Sequence, residues 1–180
     1  MLRKPYEQGA GSGLCAVYAI INALSLLFPR LLTSDVEEKL LPVLADASGD
    51  AGALLKEGAE RPEVSRMLAG VYAWTQEQGW PFWEVRELHP IPGEPSADFW
   101  DALAVELEVP RTAAVLGLGK DTERSSYEEH YTCVVRVTKS FIFLRDSAKY
   151  GNRLPRKDFG IRPEPRWSLE DAWVLTRPTH

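Results

Sequence analysis

The chain has 180 residues, 21 Lys and Arg against 26 Asp and Glu, and a net charge of −5. That length suits one domain with a real core, and 44% hydrophobic with 26% charged residues excludes wholesale disorder. The acidic balance argues against a nucleic-acid binder, two cysteines cannot build a disulfide framework, and three histidines leave few ligands for a metal cage.

Residues 1–13 form a polar, glycine-rich lead-in without the apolar stretch of a signal peptide. The next run, Leu14 to Phe28, is apolar but for Cys15, Asn22 and Ser25, and Pro29 follows it. It is too short for the roughly 20 residues that cross a bilayer, so it predicts a buried core helix. The expectation is a soluble, cytoplasmic protein with no membrane partner. Ser34-Asp35-Val36-Glu37 has the pattern of a capping box and predicts a second helix over 35–45. Residues 46–60 read as a loop. Pro62 opens a third helix over 62–78, which Gly79 ends. Phe82 to Leu88 is a predicted strand, the segment His89 to Gly93 a break, and Ser96 the cap of a fourth helix reaching 108.

From Thr112 the character changes. Thr112–Leu118, Tyr131–Val137, Phe141–Arg145 and Trp173–Thr176 are predicted strands, with a charged loop over 120–129. Helices come first and strands second. The fold class is therefore α+β. A single domain over 1–180 would place a mainly helical lobe, 1–110, beside a mainly β lobe, 111–180, with the buried central helix packed on an antiparallel sheet and a cleft between.

Cys15 opens the buried helix directly after Gly11-Ser12-Gly13-Leu14. The first turn of a helix carries unpaired N–H groups and a partial positive charge, which favour a thiolate nucleophile. The glycines allow a substrate backbone to come close. Gln8, seven residues upstream, could join the Cys15 N–H in an oxyanion hole, where one donor is worth roughly 3–4 kcal/mol. The default for an arbitrary cysteine is a small core residue; the glycine run and the helix start shift that balance.

His130 and Asp146 bracket the hairpin formed by the strands at 131–137 and 141–145. A three-residue turn at Val137, Thr138 and Lys139 would pair Arg136 with Ser140, and His130 with Asp146. Cross-strand Cβ atoms lie about 5 Å apart, so Asp146 would orient His130 and His130 would take the thiol proton. The same register pairs Cys133 with Phe143. It turns Cys133 to the face opposite His130, as a core residue without chemistry.

Other motifs fail on context. Gly11-Ser12-Gly13-Leu14-Cys15-Ala16 fits a loose dinucleotide pattern, but no strand precedes it. Gly119-Lys120 is followed by Asp121, so there is no P-loop, and Ser12 lacks the glycine spacing of a nucleophile elbow. His130 and Cys133 lack two further ligands for a metal.

Gln8 with Gly13-Leu14-Cys15-Ala16 opening a buried helix, then His130-Tyr131-Thr132 entering a β segment, then Leu144-Arg145-Asp146-Ser147, resembles the papain-like cysteine peptidase superfamily. The nearest branch is that of the bacterial peptidases that cut leader peptides after a double glycine, and their stand-alone relatives. The resemblance implies a papain-like fold with the active cleft between two lobes. It implies Cys15 as nucleophile, His130 as base, Asp146 as orienter and Gln8 in the oxyanion hole. The matched motifs are short, and residues 30–110 carry nothing specific to the family. Leader peptidases are commonly fused to membrane transporters, whereas no membrane segment is predicted here, and the stretch Gly9 to Gly13 departs from the branch pattern.

The function expected from these readings is a cysteine peptidase cutting a peptide or isopeptide bond in a peptide or protein substrate, with no cofactor. Two alternatives stand beside it: a thiol acyltransferase of transglutaminase type, and a non-catalytic peptide-binding module of the same fold.

Overall fold

A computed structural model describes residues 14–88, 97–121, 127–145, 152–159 and 167–178. Helix α1 (Cys15–Leu27) carries no charged residue and is buried over most of its circumference. A helix apolar on nearly all sides has to be packed on several sides, and here it is the centre of the core. Helix α2 (Ser34–Ser48) starts one residue earlier than the capping box predicts. Thr33 Oγ1 accepts from Val36 N at 3.4 Å, and the helix continues through Pro42 with Leu40 and Leu44 buried on either side.

The predicted loop over 46–60 contains a helix, α3 (Ala51–Glu57). Asp50 Oδ1 caps it by accepting from Ala53 N at 2.9 Å, and Leu54 anchors it to the core. The acidic, small-residue composition hid a cap residue followed by one buried leucine. Helix α4 (Arg61–Glu77) has Pro62 in its first turn and a box between Glu60 and Glu63. Gly70 is its contact point with α2: a Cβ there would lie 2.6 Å from Ala47 Cβ.

The remaining elements are β1 (Glu84–Leu88), α5 (Ala97–Glu108), β2 (Thr112–Asp121), β3 (Tyr127–Val137), β4 (Phe141–Arg145), β5 (Arg153–Pro155), a 3-10 turn at Arg156–Phe159, and β6 (Ser168–Thr176). The strands make one antiparallel sheet in the order β1-β6-β2-β3-β4-β5. The architecture is α+β. The strand from the helix-rich half, β1, pairs along its length with β6, so the two halves share one sheet.

Helices cover both faces of that sheet. On one, Ala113, Val115, Tyr131, Cys133, Trp173 and Leu175 pack with α1 and, behind it, α2 and α4. On the other, Ala114, Leu116, Leu118, Val134, Ile142 and Leu144 pack with Trp100 and Leu103 of α5. The odd and even positions of β2 divide cleanly between the two faces, as the two-residue repeat of a strand requires.

The β3–β4 hairpin does not have the expected register. Arg136 pairs with Phe143 and Val137 with Ile142, and beyond a bulge between Val134 and Arg136 Cys133 faces Arg145 rather than the expected Phe143. Thr138 is the cause at the turn. Its N–H donates to Phe141 O at 2.8 Å, while its Oγ1 lies 3.1 Å from both Phe141 N and Phe141 O. That closes a tight turn over Lys139-Ser140 in place of the three-residue loop, and the bulge takes back one residue of the resulting offset.

Candidate functional site

Cys15 stands at the first position of α1. It is a free thiol, 9% exposed, and no acidic side chain sits in the first turn. Leu14 precedes it and offers no side-chain cap, so the N–H groups of this turn are left for other acceptors.

Two contacts fix how α1 lies on the sheet. Arg177 donates from Nη1 to Leu27 O at 3.3 Å and from its backbone N–H to Arg111 O at 3.0 Å. The C-terminus of α1 is therefore at the end of the sheet where β2 begins. Farther back along the helix, Arg145 Nε donates to Asn22 Oδ1 at 3.4 Å, and Arg145 is the cross-strand partner of Cys133. From Asn22 back to Cys15 is seven residues, about 10 Å of helix. From Cys133 back to His130 is three residues, about 10 Å of strand. Cys15 and His130 thus lie at the same end of the molecule and at similar height along the sheet.

They start from different faces. His130 pairs with Leu118 and shares its side of β3 with Val134, and both of these belong to the α5 side of the core. Cys133 is fully buried on the α1 side, together with Cys15 and Tyr131. The alternation that turns Cys133 away from His130 holds. It also means that Tyr131 and Cys133, rather than His130, stand on the α1 face.

Gln8 and Asp146 lie outside the described residues. The described pairing of β3 with β4 reaches as far as Cys133 and Arg145. His89 and His180 also lie outside.

Sequence reading missed a polar cluster at the same end of the sheet. Tyr131, next to His130, donates its hydroxyl to Asp171 Oδ2 at 3.1 Å. Arg61, at the start of α4, lies 3.5 Å from the other Asp171 oxygen and bonds Glu87 Oε1 at 2.7 Å. Burial pushes the Asp171 carboxyl above the ordinary carboxylate range, against the opposing pull of the Tyr131 bond and the Arg61 charge. Gly117 makes room for this arrangement: a Cβ there would be 2.9 Å from Tyr131 Cε1 and 3.2 Å from Asp171 Cβ. A glycine inside a predicted strand was the available signal for such a close approach.

On the α5 face, Thr132 Oγ1 and Trp100 Nε1 are buried with no hydrogen-bond partner among the described residues, and His130, two positions before Thr132 on β3, is 6% exposed. A cavity of about 480 Å³ opens elsewhere, between α4 and β1, lined by Leu68, Tyr72, Phe82, Trp83, Val85 and Trp173 among others. It includes neither Cys15 nor His130.

Among the described residues no group of three or more His, Cys, Asp or Glu side chains is placed to hold a metal ion. Among them, too, no helix is long and apolar enough to cross a membrane. No protein-family model matches the chain, and none of the curated proteins searched does.

Proposed function

We propose that the protein is a thiol hydrolase of papain-like fold that cuts a peptide or isopeptide bond. The observation that carries this reading is the position of Cys15: a free thiol at the first residue of a buried, uncharged helix, at the end of the sheet where β3 brings in His130. In this reading the Cys15 thiolate attacks the carbonyl carbon, and the oxyanion is held by the Cys15 N–H and Gln8. Protonated His130, oriented by Asp146, gives its proton to the leaving amine as the C–N bond breaks. Water then attacks the thioester, His130 takes a proton from it, and the acid and the free thiol are released. Transfer of the acyl group to an amine would use the same steps with another nucleophile in place of water.

One observation favours the second reading, a peptide-binding module without turnover: His130 starts from the α5 face of β3. The two are separated by labelling with an electrophilic peptide probe. Hydrolysis requires labelling that is lost in Cys15→Ala and kept in Cys133→Ala, with His130→Ala lowering the rate by about 10²–10⁴-fold. A Cys15 that reacts no faster than free cysteine, at a rate indifferent to His130→Ala, leaves the binding module.

A further inference from the structure

The β4–β5 edge of the sheet carries a charge opposite to that of the whole molecule. Residues 136–158 hold seven Lys and Arg against two Asp, in a chain of net charge −5, and no acidic residue occurs within 130–145 or 152–157. Four side chains of this region form one structure. Phe141 and Phe143 lie on the α1 side of β4, because Ile142 and Leu144 between and beyond them pack on the α5 side and Arg145 reaches Asn22 of α1. Their rings contact edge to face with centroids 6.4 Å apart. The guanidinium carbon of Arg136 stands 4.4 Å over the Phe143 ring, and that of Arg153 stands 4.7 Å over the Phe141 ring. Both arginines are exposed and both rings half-exposed. Helix α1 lies over β3 and β2, and among the described helices none makes comparable contact with β4 or β5.

Stacking on a ring removes much of the freedom that an exposed arginine would lose on binding, and leaves its N–H fork at the edge of the stack. Two such forks flanking a pair of half-exposed phenyl rings match carboxylates alternating with apolar side chains. They match a nucleic acid less well. The ring faces on which bases would stack already carry guanidinium groups.

We propose that the α1-side surface of β4 and β5 docks an acidic peptide segment, with its carboxylates on the Arg136 and Arg153 forks and its apolar residues on Phe141 and Phe143. This goes beyond the hydrolase reading and does not depend on it, since none of the four residues takes part in the thiol chemistry.

The test is fluorescence anisotropy of the intact protein with short labelled peptides of alternating Glu and Leu, Gln and Leu, or Lys and Leu, and with an oligo(dT) of similar length. The Glu–Leu peptide should bind, with affinity falling as salt rises. Arg136→Gln with Arg153→Gln should weaken it by about tenfold or more. The Gln–Leu and Lys–Leu peptides should not bind. Arg136→Lys with Arg153→Lys, which keeps the charge and loses the fork, should fall between wild type and the Gln pair. Equal binding of Glu–Leu and Gln–Leu, full affinity in the Gln pair or the Lys pair, tighter binding of oligo(dT), or no binding of any peptide would each overturn the proposal. Circular dichroism confirms that the surface variants remain folded.

Discussion

Replacing Tyr131 with Phe removes one oxygen and changes no volume of consequence in the core. That oxygen donates to Asp171 at 3.1 Å in a buried setting, where the Arg61 guanidinium lies 3.5 Å from the other carboxylate oxygen. A hydrogen bond to an ionised carboxylate is worth about 1.5–3 kcal/mol, and one to a neutral carboxyl about 0.5–1.5 kcal/mol. The loss in Tyr131→Phe should therefore be larger at pH 7 than at pH 4, where more of Asp171 is protonated. For a chain of this length it should appear as a drop in Tm of roughly 3–12 °C at the higher pH. Urea unfolding at both pH values, with unchanged m-values, measures it. Combining the change with Asp171→Asn closes a double-mutant cycle in which most of the coupling should disappear. Equal losses at the two pH values, or none at either, would refute the account of this cluster.

Asp171→Asn alone tests the titration. A carboxyl whose folded-state pKa is raised stabilises the fold while it is protonated. That contribution is complete below the unfolded-state value of about 3.9 and is lost as pH rises through the raised value. The wild type should lose stability across that window and the Asn variant should show a flatter profile; an unchanged slope would count against it. Gly70→Ala should cost about 1–3 kcal/mol, because the new methyl would stand 2.6 Å from Ala47 Cβ, and the added change Ala47→Gly should restore much of the loss in thermal unfolding. Asp50→Ala should cost about 0.5–2 kcal/mol and speed amide exchange over α3, since it removes the acceptor for Ala53 N.

The long, patterned segments could be read from the sequence. An uncharged run of the right length marked α1, and Thr112–Leu118 and Phe141–Arg145 were legible as strands because their apolar content has no other use. What failed were local polar contacts that composition does not record. Asp50 turns a stretch of small residues into α3, and Thr138 tightens a turn by one residue. The second error propagated. A strand has a repeat of two, so a small offset at the turn and one bulge re-pair the hairpin as far as Cys133 and Arg145. The face of each residue on β3 was legible relative to its neighbours. Which of those faces α1 would cover was not, because that depends on Asn22 meeting Arg145, more than a hundred residues away. The Tyr131–Asp171 contact is of the same kind, joining residues that only sheet topology brings together.

The last described strand, β6, lies between β1 and β2 and bonds to both. During synthesis, β1 has no neighbour until some eighty further residues have emerged, and β2 keeps one bare edge for about fifty. Helices α1 to α4 can gather their leucines earlier, but the platform beneath α1 is completed last. Maturation of the chain should therefore be slow and end in a single late step. In that interval the unpaired edges of β1 and β2 are the places where a chaperone, or a second unfinished copy, would attach.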